Sequence, residues 1–143
     1  MQHSPRKFWE VWGRSDALYN RWAAAHGVNN YRLFVLYVLD NHPGATQKAI
    51  SDSAGLPKQT VNTVVRALRA EGYVTLSPAS GDRRVTHAAL TPAGQAYARE
   101  LLEPLYALED TVFARMGNAR VQEMMDAIAL FNLIFEKETE VIK

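Results

Sequence analysis

The 143-residue sequence predicts a mainly α-helical protein with a small β-wing, and three stretches carry that expectation. An amphipathic segment runs from Lys58 to Ala70 and ends at Glu71-Gly72. Two short strand-like runs follow, with Pro78, Ser80, Gly81 and Asp82 supplying turn chemistry between them. A new helix then opens at Thr91-Pro92, a capping residue followed by proline at the first helical position. Helix, strand, charged turn, strand and helix in that order make a winged helix-turn-helix. The order points to nucleic-acid binding rather than catalysis.

The remaining elements fall into place around that lobe. Ser4-Pro5 opens a first helix, with Phe8, Trp12, Tyr19, Trp22 and Ala23 as its apolar stripe and Gly27 as its stop. Asn29 or Asn30 caps a second helix, which is apolar on nearly all sides and is expected to be buried at the centre. Thr46 to Ala54 reads as a short third helix, and Gly55-Leu56-Pro57 as the tight turn before the fourth. In the fourth helix Val61, Val64, Val65 and Leu68 recur at helical spacing and face inward. The strands are expected at Tyr73–Ser77 and Arg84–Leu90. A fifth helix carries Tyr97, Leu101, Leu105, Leu108 and Val112, with Pro104 expected to kink it. Gly117-Asn118 is a stop and a cap, and Val121, Met124, Met125, Ile128, Phe131, Ile134 and Phe135 line the last helix. The sequence is read as a single domain, residues 1–143. Residues 31–91 form the winged lobe, and residues 4–27 and 92–142 are dimerisation helices.

Composition narrows the function classes. There is no cysteine, which excludes a disulfide framework, a thiolate metal site and a thiol switch. The four histidines show no metal-ligand spacing, so no metal and no cofactor are expected. Neither a signal peptide nor a membrane-length apolar run is read, and a cytoplasmic protein is expected. No catalytic motif is found, so no enzyme is expected. The net charge of +1 hides an asymmetry. Residues 46–91 hold six basic against three acidic side chains (+3), the first 45 carry five against three (+2), and residues 92–143 hold five against nine (−4). Positive charge thus gathers on the lobe that would meet phosphate.

With these residues laid out, the chain resembles the MarR (multiple antibiotic resistance regulator) family of bacterial transcription factors. The wing carries the resemblance: Asp82-Arg83-Arg84, five residues, then Leu90-Thr91, with Gly94 early in the next helix. Thr46-Gln47-Lys48, the turn at Gly55-Leu56, and Leu68 through Gly72-Tyr73-Val74 extend it. Two positions depart from the family habit: Pro57 stands where a serine or threonine cap is usual, and Asn62-Thr63 where Thr-Arg is common. Sequence preference on DNA is therefore not carried over.

The candidate site follows from the residues and from the resemblance. A fourth helix of 13 residues is roughly 20 Å long and fits the major groove. Gln59 and Asn62 can pair with adenine edges, and Lys58 can reach guanine acceptors or phosphate. Thr60 and Thr63 complete the reading set, and Arg66 and Arg69 lie further along, towards phosphates or acids. Thr46, Gln47 and Lys48 open a helix whose N-terminus is a phosphate clamp, with capping by Thr46 as the plain alternative. The resemblance implies that Arg84 enters the minor groove, that Asp82 braces it, and that Arg83 reaches a flanking phosphate. It also implies a homodimer joined through the terminal helices, whose apolar stripes exceed what one small lobe can cover. The resemblance further implies a small aromatic or anionic ligand between the dimer helices and the lobe, with Trp12, Arg14 and Tyr31 as candidate lining residues and plain core packing of the aromatics as the alternative. The expected function is a sequence-specific DNA-binding regulator, a repressor acting as a homodimer on a pseudo-palindromic operator. The rival reading is a winged-helix protein-interaction module without a specific DNA site.

Overall fold

The computed structural model describes residues 5–79 and 81–142; the side chains at positions 5, 79, 82, 83, 141 and 142 lie outside that description. Ser4 and Ser80, read above as a cap and a turn residue, lie outside the described residues, as do the side chains of Asp82 and Arg83. The elements are α1 (Pro5–Ala25), α2 (Asn30–Asn41), α3 (Gln47–Ala54), α4 (Lys58–Ala70), β1 (Val74–Ala79), β2 (Asp82–Leu90), α5 (Pro92–Met116) and α6 (Asn118–Ile142). No described helix is long and apolar enough to cross a membrane. Two compact units are distinguished, Met1–Leu102 and Glu103–Lys143, and the division falls inside α5 beside Pro104. The first unit therefore reaches past Thr91 into α5, because Ala98, Leu101 and Leu102 are buried with the lobe.

Caps and stops form where the sequence placed them. Asn29 caps α2 by accepting from the Arg32 amide at 2.8 Å. Thr46 caps α3 by accepting from the Ala49 amide at 3.1 Å. Gly27 (φ +75°) ends α1, where the Val28 amide reaches back to the Ala23 carbonyl at 3.1 Å. α2 runs through the centre of the first unit, burying Leu33, Val35, Leu36, Val38 and Leu39. Ile50 of α3 and Val61, Val65 and Leu68 of α4 close over it, fully buried. At the corner between α3 and α4, buried Ser51 donates to the Leu56 carbonyl at 2.5 Å, and the Leu56 amide returns to the Ser51 carbonyl at 3.1 Å.

The wing is longer and tighter than the sequence suggested. β1 and β2 pair antiparallel from Val74↔Leu90 to Pro78↔Thr86, and an irregularity then leads to Ala79↔Asp82. Pro78, read as turn, lies within the strand next to that irregularity, a place where a residue without an amide donor is tolerated. A third segment joins the sheet. Thr46 bridges His87, the Ala88 amide donates to the Ala45 carbonyl at 2.9 Å, and His87 Nδ1 lies 2.7 Å from the Gly44 carbonyl oxygen. The wing is thereby tied to the N-terminus of α3.

Gly13 lies in the middle of α1 with open space where a Cβ would stand. Gly13→Ala should raise stability by about 0.5–1 kcal/mol through helix propensity alone. A urea midpoint that rises with unchanged slope is the expected reading. A fall instead would mark a partner helix packed closely on Gly13.

Candidate nucleic-acid interface

α4 is strongly two-sided. Val61, Val65 and Leu68 are buried, and Gln59, Thr63 and Arg66 follow one another at i, i+4 and i+7 along the opposite, exposed face. Lys58 and Arg69 are exposed on one flank, with half-buried Asn62 between them. Thr60 is half-buried on the other flank. The helix carries three cations and no acid. Lys58, Arg66 and Arg69 make no ion pair among the described residues, so their charge is available to phosphate. Thr63 spends its hydroxyl proton on the Gln59 carbonyl at 2.9 Å, which leaves an acceptor and a methyl group outward. Pro57 is the N-cap and provides no side-chain hydrogen bond, so the departure seen in the sequence is real in the fold.

The neighbouring elements supply further polar groups. Lys48 on α3 is exposed and pairs with Asp52 at 3.0 Å. That exposed i,i+4 contact is worth about 0.5 kcal/mol at most and yields easily to a phosphate. Thr46 is engaged as a cap and Gln47 is half-buried beside it. Arg84 stands exposed on β2 near the tip of the wing. α4, the start of α3 and the outer part of the wing therefore present their polar side chains outward from one compact unit.

The residues named for a ligand lie on the surface of α1 and at the start of α2. Trp12 and Tyr31 are about half exposed, at 48% and 46%. Arg14 is exposed two positions from Trp12 on the same helix, so the two side chains leave on different flanks. A cleft of about 290 Å³ lies elsewhere in the same unit, lined by His26, Val28, Tyr97, Glu100 and Leu101. No group of three or more His, Asp or Glu side chains among the described residues could hold a metal ion.

Sequence reasoning missed a polar cluster at the far end of α4. Arg32, on the first turn of α2, donates through Nη1 and Nη2 to the two carboxylate oxygens of Glu71 at 2.7 and 3.0 Å. Its Nε donates to the Tyr97 hydroxyl at 3.0 Å, and its guanidinium lies 5.2 Å from the centre of that ring. Tyr97 stacks on Tyr73 at 4.4 Å with the rings nearly parallel. The Arg32 hydrogen bonds hold the Glu71 carboxyl below its ordinary value, and the same fork raises the guanidinium. This pairing contributes fully above the ordinary carboxylate range and is lost as pH falls through the lowered value. One signal was in the sequence: Arg32 is the single cation of α2 and stands beside its apolar run Leu33–Leu39, and the structure leaves its side chain only 18% exposed, a position that demands a partner.

Known proteins share this fold. A sequence profile of the MarR family matches residues 26–85. The uncharacterized HTH-type transcriptional regulator YwhA of Bacillus subtilis (strain 168) is 30% identical over 102 residues, 71% of this chain and 73% of that protein. A MarR family regulator from Neisseria meningitidis superposes with a TM-score of 0.89 at 27% identity, covering 99% of this chain and 100% of that one. BpsR of Bordetella bronchiseptica, whose DNA binding is regulated by 6-hydroxynicotinic acid, superposes with a TM-score of 0.71 at 17% identity, covering 92% and 94%. The profile match over the helix-turn-helix, the relative across most of both chains and the whole-length superposition agree: this chain belongs to the MarR family of DNA-binding transcriptional regulators.

Proposed function

We propose that the chain is a homodimeric repressor that reads a pseudo-palindromic operator with α4 in the major groove and the wing beside it. The outward stripe of Gln59, Thr63 and Arg66, flanked by Lys58, Asn62 and Arg69 on a helix without a single acid, carries this reading. Gln59 and Asn62 offer amide donor–acceptor pairs for adenine, and Thr60 and Thr63 add short-range contacts. Lys58, Arg66 and Lys48 supply phosphate contacts, with Thr46 and Gln47 at the α3 N-terminus. Arg83 and Asp82 belong to the wing half of the same proposal, beside Arg84.

Dimerisation is supported by apolar surface left bare in each unit. Phe8, Trp9, Val11 and Trp12 of α1 are exposed in the first unit. Met125, Ile128, Leu130, Phe131, Leu133, Ile134 and Phe135 of α6 are exposed in the second. A monomer rarely leaves so many large apolar side chains in water along single helices. Two-fold symmetry then spaces the two reading helices by about one turn of DNA, roughly 34–36 Å. Release by a small aromatic or anionic ligand near Trp12, Arg14 and Tyr31 belongs to the same proposal. The response of BpsR to 6-hydroxynicotinic acid supports it.

Selection of bound duplexes from a random pool tests the reading. An inverted repeat with half-sites about one turn apart is the expected product. A pool without enrichment would overturn it. Operator affinity should also fall steeply with salt, with a log–log slope near −0.9 for each phosphate neutralised. A flat salt response would point to a protein partner instead.

A further inference from the structure

We propose that Arg32, which would touch no base and no phosphate, is a positioning residue for DNA reading and rests on the assignment of α4 as the reading helix. The argument starts from how α4 is held. Val61, Val65 and Leu68 seat it on the core, but an apolar face tolerates small rotations and tilts of a helix much better than it tolerates exposure. Directional contacts are needed to fix the remaining freedom, and they gather at the trailing end of α4. Glu71 is its C-cap, and Gly72 and Tyr73 follow at once.

Arg32 grips that end at two points and α5 at a third, using all three of its guanidinium nitrogens: both oxygens of Glu71, and the hydroxyl of Tyr97 on α5. The planar fork restricts rotation as well as distance, which one ammonium could not do. Tyr97 is itself held by the Tyr73 stack, so the brace links α2, the end of α4 and α5 in one assembly. The pairing also compensates the carboxylate that caps the end of the reading helix, so Glu71 does not oppose phosphate across the groove. Charge and geometry can be separated experimentally, because removing both partners leaves the net charge unchanged.

The test uses the full chain and the duplex enriched in the selection above, with a scrambled duplex of equal length for comparison. Arg32→Met/Glu71→Gln keeps net charge and should weaken operator binding by about ten-fold or more, the scale of one lost base contact. Affinity for the scrambled duplex, which rests on phosphate charge, should change by less than about two-fold. Arg32→Lys should fall between wild type and the double variant, and the exchange Arg32→Glu/Glu71→Arg should recover part of the loss. Tyr97→Phe deletes only the hydroxyl that accepts from Nε and serves if the double variant fails to fold; a loss of about three-fold confined to the operator is expected. Equal losses on both duplexes, or none on either with Tyr97→Phe and Arg32→Lys, would overturn the positioning role. A wild-type protein that enriches no duplex would overturn the reading-helix assignment, and the positioning role with it.

Discussion

Gly94→Ala should lower the melting temperature by about 10 °C, although the substitution adds one methyl group to a helix. A Cβ at this position would stand 1.9 Å from the Tyr73 carbonyl oxygen and 2.8 Å from its carbon. Both are backbone atoms, so no side-chain rotation relieves the overlap. The segment cannot drift away either. The Thr91 amide donates to that same Tyr73 oxygen at 3.0 Å, and the Thr91 hydroxyl donates to the Gly72 carbonyl at 2.7 Å. The Gly94 amide in turn donates to the Thr91 hydroxyl oxygen at 3.0 Å, which caps α5. Relief therefore means pulling α5 off the end of α4, at a cost of roughly 3 kcal/mol or more. For a chain of this size that corresponds to about 10 °C. Thermal unfolding followed by circular dichroism checks it, with Gly13→Ala as the control for adding a methyl where space is open. A Gly94→Ala protein melting within about 2 °C of wild type would show that the backbones do not approach so closely. The Leu-Thr-x-x-Gly pattern behind the wing is thus an architectural clamp, and it belongs to stability more than to DNA contact.

What could be read from the sequence was local, and what could not was long-range. α4 has the bounds that its valine and leucine spacing implied, and Asn29, Thr46 and Gly27 act as the caps and stop that their chemistry suits. Each of those features is decided within one or two helical turns. The brace at Arg32 joins partners 39 and 65 residues away, and no periodicity relates them. The bridge from Thr46 to His87 is hidden for the same reason: Gly44-Ala45-Thr46 reads as a loop and a cap, and pairs with β2 only once the wing folds back. Pro78 misled in a different way, because its turn propensity was overridden by the strand pairing on either side. Pro104 stands inside α5, as the apolar spacing on either side of it implied. The apolar stripes of α5 and α6 were legible as stripes, and Leu108 and Val112 stay about half exposed, in line with the surplus apolar surface expected there. Periodicity reports that a face is apolar and says nothing of which surface covers it.

Arg84→Ala should weaken operator binding by about ten- to a hundred-fold, equivalent to roughly 1–3 kcal/mol, while leaving the dimer and its melting temperature nearly unchanged. The two halves of that expectation have separate causes. Arg84 lies exposed on β2, away from Val74 and Ala88, which are the buried apolar side chains of the hairpin, so its removal opens no cavity. The strand pairing beside it and the bridge from His87 to Thr46 keep the wing in place without it. The proposed part in binding rests on position. β2 carries it out near the tip of the wing, where a planar, weakly hydrated and permanently charged group suits a narrow, strongly negative minor groove. Arg84→Lys keeps the charge but binds its water more tightly, so it should recover only a fraction of the loss, and least on operators with A·T-rich flanks. A phosphate contact would behave differently: lysine would then restore almost all of the affinity, and alanine would lower the salt slope by about one on every sequence. Titrations of the three proteins against A·T-flanked and G·C-flanked operators at several salt concentrations distinguish the cases. Unchanged operator binding by Arg84→Ala would remove the wing from the interface and leave recognition to α4 alone.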